Sequence, residues 1–408
     1  MKRREVVIIG AGASGLAAAI AAARRGAVVT VVEADVKPAR KVLRTGNGRC
    51  NLSNTAIRTN NPGSWMPRYN DPAFVRPALE ELDCAAIREA FQSLGLFTYE
   101  DAEGRVYPVT NRARSVVDVL LKECSQLGTR IVLETSIARI VADGDGRPAA
   151  VAGDGTIFRG DALVIACGCD ADLPRGSGIP ATEPQYVLGP VPTDPEWVRR
   201  MDGVRMRAAL IVEARSGKTL FREKGEVLFR KKGVSGIVVF DASRFASPGD
   251  VLALDLLPWI DAGELTAEIE RRLIGVDPLA DADALFDGLL VREVAETLVS
   301  RASGRSHPQA RDVVPSEVAR LAKRYELVVA GTPPADGSQV SRGGIPTTCV
   351  DPLTFVIDGL HGVHACGESL DVDGACGGFN LHWAWASGIL AGRAASGGTN
   401  VDDLCSVG

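Results

Sequence analysis

Residues 1 to 35 constrain this chain most, because they read as one βαβ unit built around a glycine-rich turn. Val6-Val7-Ile8-Ile9 is a short, fully apolar run, as a strand buried on both faces requires. Gly10-Ala11-Gly12-Ala13-Ser14-Gly15 follows as G-x-G-x-x-G. The alanine-rich stretch Leu16 to Arg25 predicts a helix that Gly26 ends, and Val28 to Val32 predicts a second strand closed by Glu33. The hexapeptide alone carries little weight; between a strand and a helix each glycine has a physical job. Gly10 permits the tight turn, Gly12 lets a pyrophosphate approach the backbone, and Gly15 lets the helix lie close to the sheet. The free amides and positive end of the helix then face phosphate, with Ala13 and Ser14 in the first turn. Glu33 is placed to accept hydrogen bonds from a ribose diol, with Ala34 beside it.

Two further segments have the composition of ligand-facing loops. After the second strand, Arg40-Lys41 leads into Thr45-Gly46-Asn47-Gly48-Arg49-Cys50-Asn51, where glycines beside Arg and Asn suit close approach to a flat or charged group. Near the other end, His361 to Glu368 reads as a short strand running into a turn at Gly367. Asp371 and Asp373 follow, suited to the hydroxyls of a ribitol chain. Gly374-Ala375-Cys376-Gly377-Gly378-Phe379-Asn380 then opens a helix predicted over Leu381 to Ala395, with Leu381, Trp385 and Ile389 facing the core. The amides at Gly378 to Asn380 favour negative charge.

The chain between these ends changes character. Asp71 to Leu94 and Arg114 to Leu127 read as helices, and Arg130 to Leu133 and Ala162 to Ile165 as further strands of a parallel sheet. Cys167 to Pro195 is dense in Gly and Pro and reads as a connection. From about Arg205 to Leu257 short strands follow one another, Ala209 to Ala214 and Gly236 to Phe240 among them, which suggests a small antiparallel sheet or barrel. Residues 261 to 326 are helical in pattern, with Leu265, Ile269 and Leu273 on one face and a later helix starting at Ser316. The expected fold class is therefore α/β. A Rossmann-type domain in two parts, 1–190 and 346–408, is split by an insert, 191–345, that is β-rich at 191–260 and 327–345 and helical at 261–326.

Composition removes several alternatives. The net charge is -5, without a basic cluster dense enough in sequence to follow a phosphate backbone, so no nucleic-acid partner is expected. No run of about 18 apolar residues is present, so no membrane span is expected, and the start Met1-Lys2-Arg3-Arg4-Glu5 reads as the approach to a strand rather than a signal peptide. Nine cysteines lie scattered from Cys50 to Cys405 without a Cys-x-x-Cys. That count suits a reducing cytoplasm and argues against a structural zinc or a redox dithiol; no metal is expected.

Taken together, the motifs resemble the bacterial flavoprotein family often labelled aminoacetone-oxidase-type or BaiN-like FAD-binding proteins. The residues carrying the resemblance are Thr45-Gly-Asn-Gly-Arg-Cys-Asn51, Gly225-Glu-Val-Leu-Phe229 with Ser235-Gly236, and Ser341-Arg-Gly-Gly344. Gly367-Glu-Ser-Leu-Asp-Val-Asp-Gly374 and Gly377-Gly-Phe-Asn-Leu-His-Trp-Ala-Trp385 complete them, so the likeness covers nearly the whole chain. It implies an FAD lined by Glu33, Lys41, Gly46 to Asn51, Gly367, Glu368, Asp373 and Gly378 to Asn380, with a third contact at Gly168, beside Ala166 and Cys167. Arg40, Ile137, Asp371, Gly374 and Phe379 are counted with them. Two departures stand out. The third contact reads Cys167-Gly-Cys-Asp-Ala-Asp-Leu-Pro174 where the family carries a threonine- and serine-bearing glycine loop, and His382 stands where a glutamine is usual.

The resemblance implies a flavin-dependent reductase of a carbon–carbon double bond conjugated to a carbonyl, on an apolar, steroid-like small molecule that the insert would roof. The alternatives are a flavin oxidase of a small amine using oxygen, and a non-enzymatic flavin-binding accessory protein. No second G-x-G-x-x-G occurs, so NAD(P)H is expected to bind only transiently as donor, a redox partner being the other source of electrons. Reduced flavin carries an anion around N1 and the C2 oxygen, which the helix end at Gly378 would stabilise. Arg49, Asn51, Tyr107 and His382 are the candidates near the reacting atoms, Arg49 as an orienting cation and Cys50 as a buried, inert thiol.

Overall fold

The computed structural model describes residues 3–142 and 145–397; Met1, Lys2 and Cys405 lie outside them. The chain divides into two compact units, Met1–Gln185 with Val340–Gly408, and Tyr186–Gln339. The insert thus begins and ends a few residues earlier than the expected 191–345, and the strand Val340–Gly344 belongs with the first unit.

The first unit is organised by five parallel strands: β1 (Glu5–Ile9), β2 (Val28–Val32), β3 (Arg130–Val132), β4 (Ala162–Ile165) and β5 (Val363–Ala365). Their spatial order is β5-β4-β1-β2-β3. The chain winds outward from β1 through β2 to β3, then returns to the other side of β1 for β4 and β5. Strand order therefore reverses between β1 and β4, and ligands of such sheets bind at that point, outside the carboxyl ends of the strands. Val6 to Ile9 pair in register with Ala162 to Ile165 on one side and Val29 to Val32 on the other, and all but the half-buried Thr30 are buried.

Five helices matter for the site: α1 (Ala13–Arg24), α2 (Pro72–Glu81), α3 (Cys84–Ser93), α4 (Ala113–Gln126) and α5 (Phe379–Ala395). The single helix expected over Asp71 to Leu94 is two, because Asp83 stops one and starts the next. Its carboxylate accepts from the amides of Ala85 (3.0 Å) and Ala86 (3.1 Å), a cap that fixes a new helix start. Helix α5 lies backbone-to-backbone on α1. A methyl group on Gly388 would stand 2.4 Å from the Ser14 carbonyl, and one on Gly392 2.2 Å from that of Ala18. Only glycine permits this approach, and it joins the last helix of the unit to the first.

A three-stranded antiparallel sheet, Ile137–Ala142, Pro148–Ala152 and Ile157–Arg159, fills a stretch in which no strands were expected.

The second unit is a six-stranded antiparallel sheet with its own core. Arg205–Glu213 and Thr219–Arg230 are its long central pair, and Ala262–Leu273, Arg292–Ser303 and Pro315–Lys323 are its helices. The strand expected at Gly236 to Phe240 is instead a helix, Ile237–Ser243. An apolar run this short fits either state. Gly236 decides it: at φ +109° with the Glu226 carbonyl 2.3 Å from where a Cβ would sit, it turns the chain off the sheet. No helix among the described residues is long and apolar enough to cross a membrane.

Candidate functional site

At the carboxyl end of β1 the cradle takes the shape its glycines allow. Gly10 has φ +107°, and a Cβ on it would stand 2.4 Å from the Ala166 carbonyl at the end of β4. Gly15 is closer still, 1.9 Å from the Gly10 carbonyl on the same test. Nothing lies within 4 Å of a Cβ on Gly12, and Gly12 caps α1 without a side-chain bond, so the first amides of α1 face open space. Glu33 reaches back to this turn: Oε2 accepts from the Ala11 amide (2.6 Å) and Oε1 from the Asp35 amide (2.9 Å). Each oxygen keeps a further lone pair for a hydroxyl. Ala34 is exposed beside it, and the Thr135 amide donates to the Glu33 carbonyl (2.9 Å), which runs the chain into Ile137 past the same strand end.

Four contacts bring the distant motifs to this turn. Lys41 Nζ pairs with Glu368 Oε2 (2.5 Å). Gly367, at φ +65°, lies so close to Ser14 that a Cβ would stand 2.4 Å from its Oγ. Gly10 abuts Ala166, as above, beside Cys167 and the open Gly168. At the start of α5, a Cβ on Gly378 would meet the Ser53 carbonyl at 2.3 Å and Asn51 Oδ1 at 2.8 Å. All four join residues of the first unit.

The loop after β2 presents Gly46 and Asn47 in left-handed conformations and leaves Asn47, Gly48 and Arg49 exposed. The Arg49 guanidinium lies 4.6 Å above the Tyr107 ring, and Arg40 pairs with Asp35. Cys50 is sealed below, its thiol pushed up to about 12 by burial, and burial pushes Cys167, beside Gly168, equally high. Asn51 Oδ1 is shielded from solvent and has no hydrogen-bond partner among the described residues. A buried acceptor of this kind is costly unless a ligand completes it.

Several expected ligand groups are held by the protein itself. The Asp373 carboxylate, fully buried, is gripped by Arg342 through Nε (2.7 Å) and Nη2 (3.2 Å) rather than offered to a ribitol chain. Asp371 Oδ1 accepts from the Gly343 amide (2.9 Å). The Asn380 side chain clamps the turn before its own helix, accepting from the Gly374 amide (2.8 Å) and donating to the Gly374 carbonyl (2.8 Å). Phe379 is buried edge-on to Tyr69, whose hydroxyl donates to the Phe379 carbonyl (2.8 Å). What Gly378 to Asn380 present is backbone: no side chain caps α5.

His382, one of the four candidates near the reacting atoms, lies instead in the core. It is fully buried, with Nδ1 2.8 Å from Ser53 Oγ and Nε2 2.8 Å from the Leu82 carbonyl. Burial drives its pKa down to about 4, so the ring is a neutral packing element with both nitrogens used. Sequence reasoning passed over Asn70 altogether and gave Arg342 no role. Asn70 reads both edges of the acidic loop, Oδ1 accepting from the Asp373 amide (2.8 Å) and Nδ2 donating to the Asp371 carbonyl (3.1 Å).

The arrangement fits FAD. It offers an uncapped helix end at a glycine turn, a carboxylate at the neighbouring strand end, a second uncapped helix end at Gly378, and one orphaned acceptor, Asn51 Oδ1, between the two halves.

The HI0933-like protein Rossmann domain family matches residues 4–394. The 3-dehydro-bile acid delta(4,6)-reductase of Clostridium scindens is 33% identical, covering 95% of this chain and 98% of its own length. Two ribosomal RNA dihydrouridine synthases also match: 26% identity in Escherichia coli over 95% of this chain and 96% of the relative, and 24% in Haemophilus influenzae over 94% and 96%. Among solved structures, a 3-ketosteroid-delta4-(5alpha)-dehydrogenase from Rhodococcus jostii shares the fold, with TM-score 0.52, 17% identity, and coverage of 96% of this chain and 97% of that one.

Proposed function

Because the chain belongs to the HI0933-like Rossmann family of FAD-dependent oxidoreductases, we propose that it reduces a carbon–carbon double bond conjugated to a carbonyl. The observation that carries this reading is the full-length likeness to a bile acid delta(4,6)-reductase. FAD, when bound, supplies the hydride chemistry, recharged in our reading by NADH or NADPH. The chain's own residues do the rest. The amides of α1 and Glu33 hold the adenylate and pyrophosphate end, and Lys41, Asn51 and the Gly378 end of α5 orient the ring end. The substrate class is an apolar, steroid-like carbonyl compound.

Reduction of such a bond also requires a proton at the carbon next to the carbonyl. His382 is sealed away and Arg49 stays charged. Tyr107 remains: its ring lies under Arg49, and burial pushes its phenol above the ordinary value, so it keeps its proton at neutral pH. We assign it the donor's role.

A second reading keeps the chemistry and changes the substrate. Uridine carries a double bond conjugated to a carbonyl, and dihydrouridine is its reduced form, so the ribosomal RNA relatives belong to the same reaction type. What favours RNA here is one face of the second unit's sheet. Arg205, Arg207, Arg222, Lys224 and Arg230 stand exposed on the same side of the central strand pair, with Glu226 paired to Arg205 (2.8 Å). Such a basic face suits a phosphate backbone.

The test is anaerobic. Purified yellow protein is reduced with NADH or NADPH, then mixed with a panel of conjugated enones, with uridine-containing RNA, and with oxygen. Return of the oxidised flavin spectrum with an enone supports the leading reading, and with RNA alone the second. Failure with every enone and RNA, with peroxide formed stoichiometrically from an amine, replaces both by the oxidase. A bound flavin that no donor reduces leaves an accessory protein.

A further inference from the structure

The hairpin beside the Gly46 loop turns outward a face that the nucleotide site does not use. Thr98–Glu100 and Arg105–Pro108 are its antiparallel strands, and Ser53–Asn54, just after Asn51, adds a third. Tyr99 lies opposite Tyr107, and the Val109 amide donates to the Phe97 carbonyl (3.0 Å), which carries the pairing one step further. Side chains alternate along paired strands, so Phe97, Tyr99, Tyr107 and Val109 stand on one side. Leu96, Val106 and Pro108, of the opposite phase, are buried, while Phe97 is 60% exposed and Val109 56%. We infer that this face selects the substrate, seating the apolar body of a neutral fused-ring enone along Tyr99, Phe97 and Val109.

Continuity with the nucleotide site supplies the occupant. A Cβ on Gly46 would stand 3.5 Å from the Tyr107 ring. The inner end of the face therefore meets the loop that borders the flavin ring on the reductase reading, on which this assignment rests. Tyr107 is covered there by the Arg49 guanidinium, 4.6 Å above its ring, and flanked by the Tyr99 ring, 6.0 Å away. An enone carbonyl gains negative charge as it is reduced, and the fixed positive charge of Arg49 suits the oxygen that carries it.

From that end the face runs outward. Two residues along a strand advance about 7 Å, the step from the Tyr99–Tyr107 pair to Phe97 and Val109. A single-ring enone with its carbonyl at Arg49 ends over Tyr107, whereas a fused-ring one reaches Phe97 and Val109 and takes their apolar surface out of water. Charge on the same side is already matched: Arg105, two residues before Tyr107, pairs with Asp101 (2.8 Å) and with Glu103. The Tyr99 hydroxyl donates to Asn111 Oδ1 (2.6 Å), which leaves the exposed Asn111 amide nitrogen as a donor to a distal hydroxyl or carbonyl.

Equilibrium dialysis of testosterone, a neutral fused-ring enone, against the FAD-loaded full chain reads the platform without turnover. Testosterone is expected to bind saturably at one site per chain. Phe97→Asp and Val109→Asp are each expected to weaken it about tenfold, the effect of losing most of one apolar contact, with Phe97→Leu close to wild type. Reoxidation of the reduced protein by cyclohexenone, which stops short of both residues, is expected to be unchanged in all three. Absence of saturable testosterone binding overturns the inference, as does binding that neither aspartate alters. Slowing of cyclohexenone by the same factor as testosterone binding is weakened also overturns it, because the aspartates would then be disturbing the site at large. Weakening of an oligouridine by Phe97→Asp, with testosterone unaffected, gives the face to RNA bases instead. Reoxidation by neither enone, with testosterone binding lost in the aspartate variants, removes the reductase reading and keeps the platform. The two aspartates sit at exposed positions on separate strands, so if circular dichroism shows one variant misfolded the other decides.

Discussion

Asn51→Ala should move stability and nucleotide affinity in opposite directions. Asn51 Oδ1 is shielded and unpartnered among the described residues, and leaving such an acceptor unsatisfied costs about 1–3 kcal/mol. Truncation removes that cost from the nucleotide-free protein. It also removes part of the packing of a half-buried side chain, about 1 kcal/mol from the apolar area lost. The balance favours the variant by up to about 2 kcal/mol, which at about 2–4 °C per kcal/mol raises the melting temperature of the nucleotide-free protein by a few degrees. The FAD complex responds the other way. One hydrogen bond worth about 0.5–1.5 kcal/mol disappears, so the Kd rises by up to about tenfold. Thermal melts of the nucleotide-free protein, with flavin-fluorescence titrations on wild type and variant, read both quantities. A variant that melts lower and binds FAD as tightly as wild type would rule out a ligand role for Asn51, because Oδ1 would then be serving the fold and not the ligand.

Three other outcomes follow from the same geometry. Arg342→Met removes the cation paired with the buried Asp373 carboxylate, a loss of about 3–5 kcal/mol that scanning calorimetry should register as a drop of several degrees, partly recovered in the double variant with Asp373→Asn. His382 has its folded pKa depressed from 6.5 to about 4 by burial, so between those values the unfolded chain binds the extra proton. Its contribution to stability is complete above pH 6.5 and falls by at most about 1.4 kcal/mol per unit as pH drops toward 4. His382→Gln should flatten that acid limb in denaturant titrations, leaving the share due to His364, whose pKa burial also depresses. Tyr107→Phe should slow reoxidation of reduced protein by an enone about 100-fold, the lower range of general-acid contributions, without changing the rate at which NAD(P)H reduces it; equal rates on the enone side would remove Tyr107 from the mechanism.

The nucleotide cradle was legible because every local signal agreed: apolar strand, glycines, alanine helix, acid at the second strand end. The C-terminal helix was legible in extent and misread in orientation. Its periodicity puts Leu381, Trp385 and Ile389 inward, yet Leu381 and Ile389 are only half-buried while His382, Trp383 and Ala386 are fully enclosed. A helix surrounded by other elements has no single apolar stripe to read, and so His382 was taken for a site residue. The Asn70–Asp373 and Arg342–Asp373 contacts join residues far apart in sequence whose local patterns carry no trace of one another. The Asp83 cap was readable in principle, since an acid before an alanine-rich run is a helix start.

Lys41 pairs with Glu368 across more than 300 residues of sequence, so a single nucleotide is expected between these two distant chain segments. Titration of flavin-free protein with FAD, followed by displacement with ADP and with FMN, tests it most directly. One FAD per chain is expected, with competition from both fragments, Glu33→Gln weakening ADP alone and Asn51→Ala weakening FMN alone. A chain that takes up no FAD, or that holds FAD which one of the fragments does not displace at any concentration, contradicts it.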